Sequence, residues 1–116
     1  MSITSINPAT GETIREYETF SDQQIQDAVT KAHAAWLQWR KTAFTQRAEL
    51  MRKAAQGLRR QKDELARLMT MEMGKPVRQG VAEVEKCAWV CEYYADHAEA
   101  HLAPDEVKSD AYHSYV

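Results

Sequence analysis

The feature that most constrains the fold is a long stretch of helical periodicity near the end of the chain. Small and apolar residues recur from about residue 76 to residue 102 at the spacing of an α-helix. At about 100° per residue, one stripe contains Val77, Val84, Cys87, Ala88, Cys91, Ala95, Ala98 and Leu102. Pro76 suits the first turn of this helix, and Pro104 ends it. The pattern therefore predicts one long helix whose stripe faces a core.

A first helix is predicted from about residue 22 to residue 40. Ser21 can cap its N-terminus while Gln24 reaches back, and Phe20 and Ile25 are placed for a hydrophobic staple. Its apolar residues recur at helical spacing, namely Ile25, Ala28, Val29, Ala32, Trp36 and Trp39. The segment therefore has both the start signal and the apolar face of a helix.

Two further helices are predicted in the middle of the chain. Thr45 is the expected N-cap of the second helix. Its apolar stripe contains Ala48, Met51, Ala54, Ala55 and Leu58. The third is predicted over residues 63–72, with Leu65, Leu68 and Met69 directed inward, and Gly74 ends it.

Strand signals occur only at the two ends of the chain. The alternating residues 3–6 and 12–17 flank an Asn-Pro-Ala-Thr-Gly turn and predict a β-hairpin. Residues 111–116 alternate in the same way, and no partner strand follows them in the sequence. The predicted fold class is a mostly helical α+β chain, with an N-terminal hairpin, about four helical segments and an incomplete C-terminal strand. We expect the chain to be the first part of something larger.

Charge and composition exclude several classes of protein. The net charge is -2, which gives no overall attraction to nucleic acid or to an anionic membrane. The basic stretch over residues 47–67 is interrupted by Glu49, Asp63 and Glu64, so it is interpreted as a solvated helix face. The chain lacks a signal-peptide pattern, and its two cysteines do not form a secreted disulfide framework. A cytoplasmic protein is predicted.

The cysteines and two histidines of the last helix are the first candidates for a chemical site. Cys87 and Cys91, like His97 and His101, are four residues apart. Cys87 and His101 are about 21 Å apart along the axis, whereas zinc ligands converge within about 2.3 Å of one ion. A single zinc site that contains all four side chains is therefore excluded. Two half-sites, each completed by other segments, remain possible. The simpler interpretation is that both cysteines are small buried hydrophobes.

No catalytic or coenzyme motif is present in these residues. Neither cysteine has a setting that would stabilise a thiolate. Gly74-Lys75 lacks the other residues of a phosphate loop, and no Gly-x-Gly-x-x-Gly occurs. The aromatic residues are interpreted as packing residues: Trp36, Trp39, Trp89, Tyr93 and Tyr94. The sequence therefore predicts no catalytic, cofactor-binding or metal-binding residue.

Six short motifs, in order and with matching spacing, nevertheless resemble one family. They are Ile6-Asn7-Pro8-Ala9-Thr10-Gly11-Glu12, Trp36 with Trp39-Arg40, Arg47-Ala48-Glu49, Glu72-Met73-Gly74-Lys75-Pro76, Glu83-Val84-Glu85-Lys86-Cys87 and Tyr93-Tyr94-Ala95. Together they resemble the start of an aldehyde dehydrogenase, and most closely the succinate-semialdehyde dehydrogenase branch. The resemblance extends from about residue 3 to residue 116.

The resemblance implies an enzyme that oxidises an aldehyde to an acid with NAD or NADP. In that family a cysteine thiolate attacks the carbonyl, the adduct gives hydride to nicotinamide, a glutamate activates water and an asparagine steadies the oxyanion. All these residues and the coenzyme site lie after the part that this chain resembles. We therefore transfer no catalytic residue, and expect the 116-residue chain itself to be inactive and to bind no coenzyme.

The resemblance also implies a place in a larger assembly. Residues 1–116 would form the N-terminal, incomplete part of a coenzyme-binding domain within the aldehyde dehydrogenase α/β fold. The expected partner is the remainder of that fold, in an enzyme that forms a homo-oligomer and oxidises succinate semialdehyde to succinate. The alternative is a non-catalytic helical module that binds another protein through its last helix.

Overall fold

The computed structural model describes residues 2–115 and contains a β-hairpin followed by four helices. The strands are β1 (Ser2–Ile6) and β2 (Thr13–Glu18), and the helices are α1 (Asp22–Trp39), α2 (Phe44–Arg60), α3 (Lys62–Met73) and α4 (Val77–His101). The predicted fold class, a mostly helical α+β chain with an N-terminal hairpin, is confirmed. None of the helices within these residues is long and apolar enough to cross a membrane.

The hairpin closes through the predicted turn. The amide of Asn7 donates to the carbonyl of Glu12 at 2.9 Å, and the amide of Gly11 donates to the carbonyl of Asn7 at 2.8 Å. Gly11 has a φ of 74°, in the left-handed region that glycine adopts without strain. The hairpin also contacts the helices, because the Ser5 hydroxyl donates to the Glu72 carboxylate at 3.1 Å.

Two of the three predicted helix caps are present in the structure. Ser21 and Gln24 form the reciprocal capping box at the start of α1. Gly74 ends α3 with a φ of 68°. The prediction of Thr45 as an N-cap is wrong, because α2 already begins at Phe44, with Ala43 in extended conformation before it and no side-chain cap.

Helix α4 is the centre of the fold, since both α2 and α3 pack against it. The buried residues are small or medium in size: Ala55, Ala66, Gly80, Val84 and Ala88. A Cβ atom on Gly80 would lie 3.1 Å from both the Cα and the carbonyl oxygen of Ala66. The close approach of α3 to α4 therefore depends on the absence of a side chain at position 80.

Ion pairs connect α2 and the start of α3 to α4. Arg59 donates to Glu92 at 2.8 Å and to Glu85 at 3.3 Å, while Lys62 donates to Glu85 at 2.9 Å. The hydrogen bond from Lys62, with a further one from Arg59, holds the pKa of Glu85 below its ordinary value. The hydrogen bond from Arg59 does the same to the pKa of Glu92. Within the basic stretch, Arg59 is exposed and Lys62 is partly exposed, so both combine a solvated position with ion pairs to α4.

The end of the chain differs from the predicted strand. Within the described residues, the segment 111–115 contains no regular strand, and Tyr115 forms a single antiparallel bridge with Glu106. The amide of Val107 donates to the carbonyl of Ser114 at 2.8 Å. The alternation at 111–116 does not reveal this upstream partner, which pairs with the segment at a single bridge only. Val116 lies outside the described residues.

Replacing Gly80 should separate α3 from α4. We expect Gly80→Val to lower the free energy of unfolding by about 1–3 kcal/mol more than Gly57→Val, because valine at position 80 overpacks the contact with Ala66. Gly57 is the matched control, since its added Cβ would meet only the flexible end of Arg60 at 3.9 Å. Urea titrations followed by circular dichroism measure both changes. Equal losses at the two positions would contradict the close packing at Gly80.

Acid should weaken the contact between α2 and α4. Because the pKa values of Glu85 and Glu92 are lower in the folded chain, their contribution is present above the ordinary carboxyl pKa of about 4.3 and is lost as the pH falls through the depressed values. Urea unfolding should therefore show a lower stability at pH 3 than at pH 7. In the double variant Glu85→Gln with Glu92→Gln, this decrease should be smaller. Glu99→Gln, on the same helix outside this cluster, should leave the decrease unchanged. An unaltered pH dependence in the double variant would contradict the assignment.

Candidate functional site

The main candidate functional feature is a large exposed surface. The accessible area is 9822 Å², compared with about 6,500 Å² for a compact monomer of this mass. The radius of gyration is 20.6 Å, compared with about 13 Å for a compact domain of this length. The elements are therefore formed, but much of the surface that a compact domain would bury remains open.

Helix α1 contributes most clearly to this surface. Its predicted apolar stripe is present, but every residue of the helix is exposed in residues 2–115. Val29 is 60% exposed and Trp36 is 48% exposed. We call the stripe formed by Ile25, Val29, Trp36 and Trp39 the α1 face. Because α1 does not pack on the core, this face is free to contact another surface.

Arg47 fixes the direction in which α1 leaves α2. Its guanidinium donates to the carbonyl of Trp39 at 3.0 Å and to the hydroxyl of Thr42 at 2.9 Å. The same group lies over the rings of Trp39 and Phe44, about 5.5 Å from each centroid. The carbonyl groups at the end of α1 thereby gain a charged donor. In the sequence, Arg47 is recognised only as part of the basic stretch and of the family motif.

The aromatic residues interpreted as packing residues are mostly uncovered. Trp36, Trp39, Trp89 and Tyr94 are each about half exposed, whereas Tyr93 is partly buried. Within residues 2–115 no element covers the faces of those four residues, so the packing interpretation stays a prediction for them. Helical spacing identifies an apolar face but does not identify what covers it.

The two histidines of α4 are engaged with Tyr93 and do not meet the cysteines. The Tyr93 and His97 rings stack at 4.4 Å, and His97 Nδ1 lies 2.7 Å from the Tyr93 carbonyl. His101 Nε2 lies 3.1 Å from the Tyr93 hydroxyl. Within residues 2–115, no group of three or more His, Cys, Asp or Glu side chains is arranged to hold a metal ion. The half-site possibility, which needs other segments, stays untested.

The cysteines are less buried than the sequence predicted. Cys87 is exposed and Cys91 is partly buried, and both are free thiols. The buried residues of α4 are Gly80, Val84 and Ala88, which follow one another at intervals of four. Cys87 lies about 60° around the helix from Val84, at the border of the packed side. The predicted stripe was too wide, and its border was exposed.

Comparison with known proteins shows which family contains these helices. Residues 1–116 match the model of the Aldehyde dehydrogenase family. The chain belongs to this family. A "Probable succinate-semialdehyde dehydrogenase [NADP(+)]" of Synechocystis is 43% identical over 116 residues, which are 100% of this chain and 26% of the relative.

Other relatives agree in both identity and coverage. A succinate-semialdehyde dehydrogenase [NADP(+)] 1 of Mycobacterium tuberculosis is 41% identical over 90% of this chain and 23% of its own length. The crystal structure of succinic semialdehyde dehydrogenase from Streptococcus pyogenes in complex with NADP+ has a TM-score of 0.89 and 32% identity, covering 97% of this chain and 25% of that chain. The chain thus spans about a quarter of the length of the relatives it matches.

The exposed α1 face should make the isolated chain self-associate. We expect Val29→Glu with Trp36→Glu to weaken this association, because charged groups replace apolar area in the middle of the face. Gln23→Glu with Ala34→Glu adds the same charge on the opposite side of α1 and should have little effect. Sedimentation equilibrium over a range of concentrations measures the association. Equal association of the two double variants would contradict a role for the α1 face.

Proposed function

We propose that residues 1–116 form the N-terminal part of the coenzyme-binding domain of an NADP-dependent succinate-semialdehyde dehydrogenase. The observation that carries this proposal is the 43% identity along the whole chain to a relative of that name. A second relative with that activity in its name, solved with NADP+, has nearly the same backbone over 97% of the chain. NADP is therefore preferred to NAD in the proposal.

The exposed surface supports a structural role within such an enzyme. The excess of about 3,300 Å² over a compact monomer is several times the roughly 800 Å² that each partner buries in a standard interface. A surface of this size suits an obligate contact with the rest of a larger polypeptide. The α1 face would then pack against later parts of the coenzyme-binding domain. Homo-oligomer formation by the complete enzyme is part of the same proposal.

The reaction proposed for the complete enzyme is the oxidation of succinate semialdehyde to succinate with reduction of NADP. The nucleophilic cysteine, the glutamate base, the oxyanion-binding asparagine and the coenzyme site would all come from outside residues 1–116. Neither Cys87 nor Cys91 is assigned a catalytic role. The 116 residues would supply scaffold for the active site but none of its reacting groups.

Two subsidiary points belong to this proposal. A cytoplasmic location is supported by two free thiols, at Cys87 and Cys91, in a chain that uses no disulfide between them. The alternative function, a non-catalytic interaction module, has no support in the comparisons, since the relatives described above are named as dehydrogenases.

A chimera tests the proposed place in the enzyme. Residues 1–116 replace the matching N-terminal segment of the Streptococcus pyogenes enzyme, and NADP reduction is measured with succinate semialdehyde. We expect activity within about tenfold of the parent, a loss of about 1.4 kcal/mol or less in transition-state stabilisation. The 116-residue chain alone, in the same assay, should give no turnover.

The control chimera carries Val29→Glu with Trp36→Glu, which should prevent the N-terminal segment from docking and reduce the yield of folded enzyme. A chimera that melts cooperatively but has no activity would contradict the proposed place in the enzyme. Turnover that copurified with the isolated chain would contradict the assignment of all reacting groups to other residues.

A further inference from the structure

Two thiols of α4, at the border of its packed side, have no role in the proposed function. Cys87 and Cys91 lie one turn apart within the unbroken helix, and they are the only cysteines in the sequence. Both are free, and both line the same surface depression with Ala82, Glu83, Lys86 and Val90. The chain therefore presents two sulfur ligands side by side at an accessible, partly apolar surface.

The helix sets the distance between the two side chains. Residues four apart on an α-helix have Cβ atoms about 5–6 Å apart, whereas a disulfide needs Cβ atoms about 3.5–4.5 Å apart. Direct oxidation to a Cys87–Cys91 disulfide would thus require the helix to deform. A bridge with one additional atom between the sulfurs is longer and can span the gap while the helix stays intact.

The donor set selects the kind of atom that can form this bridge. Thiolate sulfur is a soft ligand and prefers soft ions. A structural zinc ion needs four ligands. The carboxylate of Glu83, in the same depression, is paired with Lys75, and no group of three or more His, Cys, Asp or Glu side chains in residues 2–115 is arranged to hold a metal ion. An atom that needs only two protein sulfurs as ligands fits this site better. Trivalent arsenic carrying one organic group is such an atom, and the apolar Ala82 and Val90 offer a surface for the organic group.

We propose that Cys87 and Cys91 form a dithiol site for monosubstituted arsenic(III) compounds. In the reaction of an organic arsenic(III) oxide, two sulfur–arsenic bonds form and the bonds between arsenic and oxygen break. The two thiol protons leave with the oxygen as one molecule of water. Arsenic stays in the +3 state and sulfur is not oxidised, so no oxidant or reductant takes part.

Phenylarsine oxide is a suitable probe for the purified 116-residue chain. Intact mass spectrometry should show one phenylarsenic group per chain with the loss of one water. Because the second bond forms within one molecule, binding should be at least about 100-fold tighter than to Cys87→Ser or Cys91→Ser. Excess glutathione should not remove the group, whereas 2,3-dimercaptopropanol should remove it. Equal binding by the unmodified chain and the single variants would overturn the proposal.

A variant with the two thiols on different sides of the helix provides the matched control. Trp89→Cys with Cys91→Ser keeps two cysteines, but residues 87 and 89 are about 200° apart around the axis. With helicity retained in circular dichroism, it should bind phenylarsine oxide no better than a single-cysteine variant. Binding as tight as that of the unmodified chain would show that nearness in sequence suffices, and would overturn the geometric argument. The azo oxidant diamide should leave no intramolecular disulfide in the unmodified chain, and efficient formation of one would also overturn that argument.

Discussion

The close contact between α3 and α4 is the constraint on which the rest of the helical layer depends. Gly80 allows α4 to approach the backbone of Ala66, and Val84 and Ala88 continue the same side of the helix toward α2. Small side chains permit this approach but bury little apolar area. Full burial of a Val- or Leu-sized side chain contributes about 1.5–3 kcal/mol, and Val84 is the largest side chain buried in residues 2–115. The layer therefore has a defined geometry and a small hydrophobic core.

Charge and hydrogen bonding secure the borders of this layer. Arg59 and Lys62 reach across to carboxylates on α4, and Arg47 binds the end of α1 to the start of α2. These groups are partly exposed, so water weakens each individual attraction. Their main effect is on helix orientation, because they fix which side of each helix faces outward. The α1 face and the depression containing Cys87 are both presented by this arrangement.

The sequence predicts local structure well where one short motif decides it. The capping box at Ser21 and Gln24, the left-handed Gly74 and the hairpin turn all depend on a few neighbouring residues. The contacts of Gly80 and Arg59 could not be read in the same way, since each needs the position of another helix. Complementary charges on α2 and α4 were the available signal for Arg59, Glu85 and Glu92. Gly80, a helix-interior glycine that lowers helix propensity, was the available signal for close packing.

Exposure was the least predictable property. Periodicity correctly placed Trp36 and Val29 on one face, but it treated that face as covered. Cys87 lies at the border of the packed side of α4, and it is exposed. Composition predicts neither the exposure of the α1 face nor that of Cys87, because both depend on which surfaces the fold brings together. The sequence therefore identifies the α1 face as an apolar stripe, but only the structure shows that this face is exposed.

The open α1 face has a consequence for biosynthesis in a polypeptide as long as the Synechocystis relative. Ribosomes add about 5–20 residues per second. The relative continues for about 330 residues beyond the matched quarter, so its translation would take tens of seconds more. During that interval the hairpin and helices would already be outside the ribosome with their apolar faces uncovered. Such a nascent chain therefore exposes apolar helix faces until the later residues have been made.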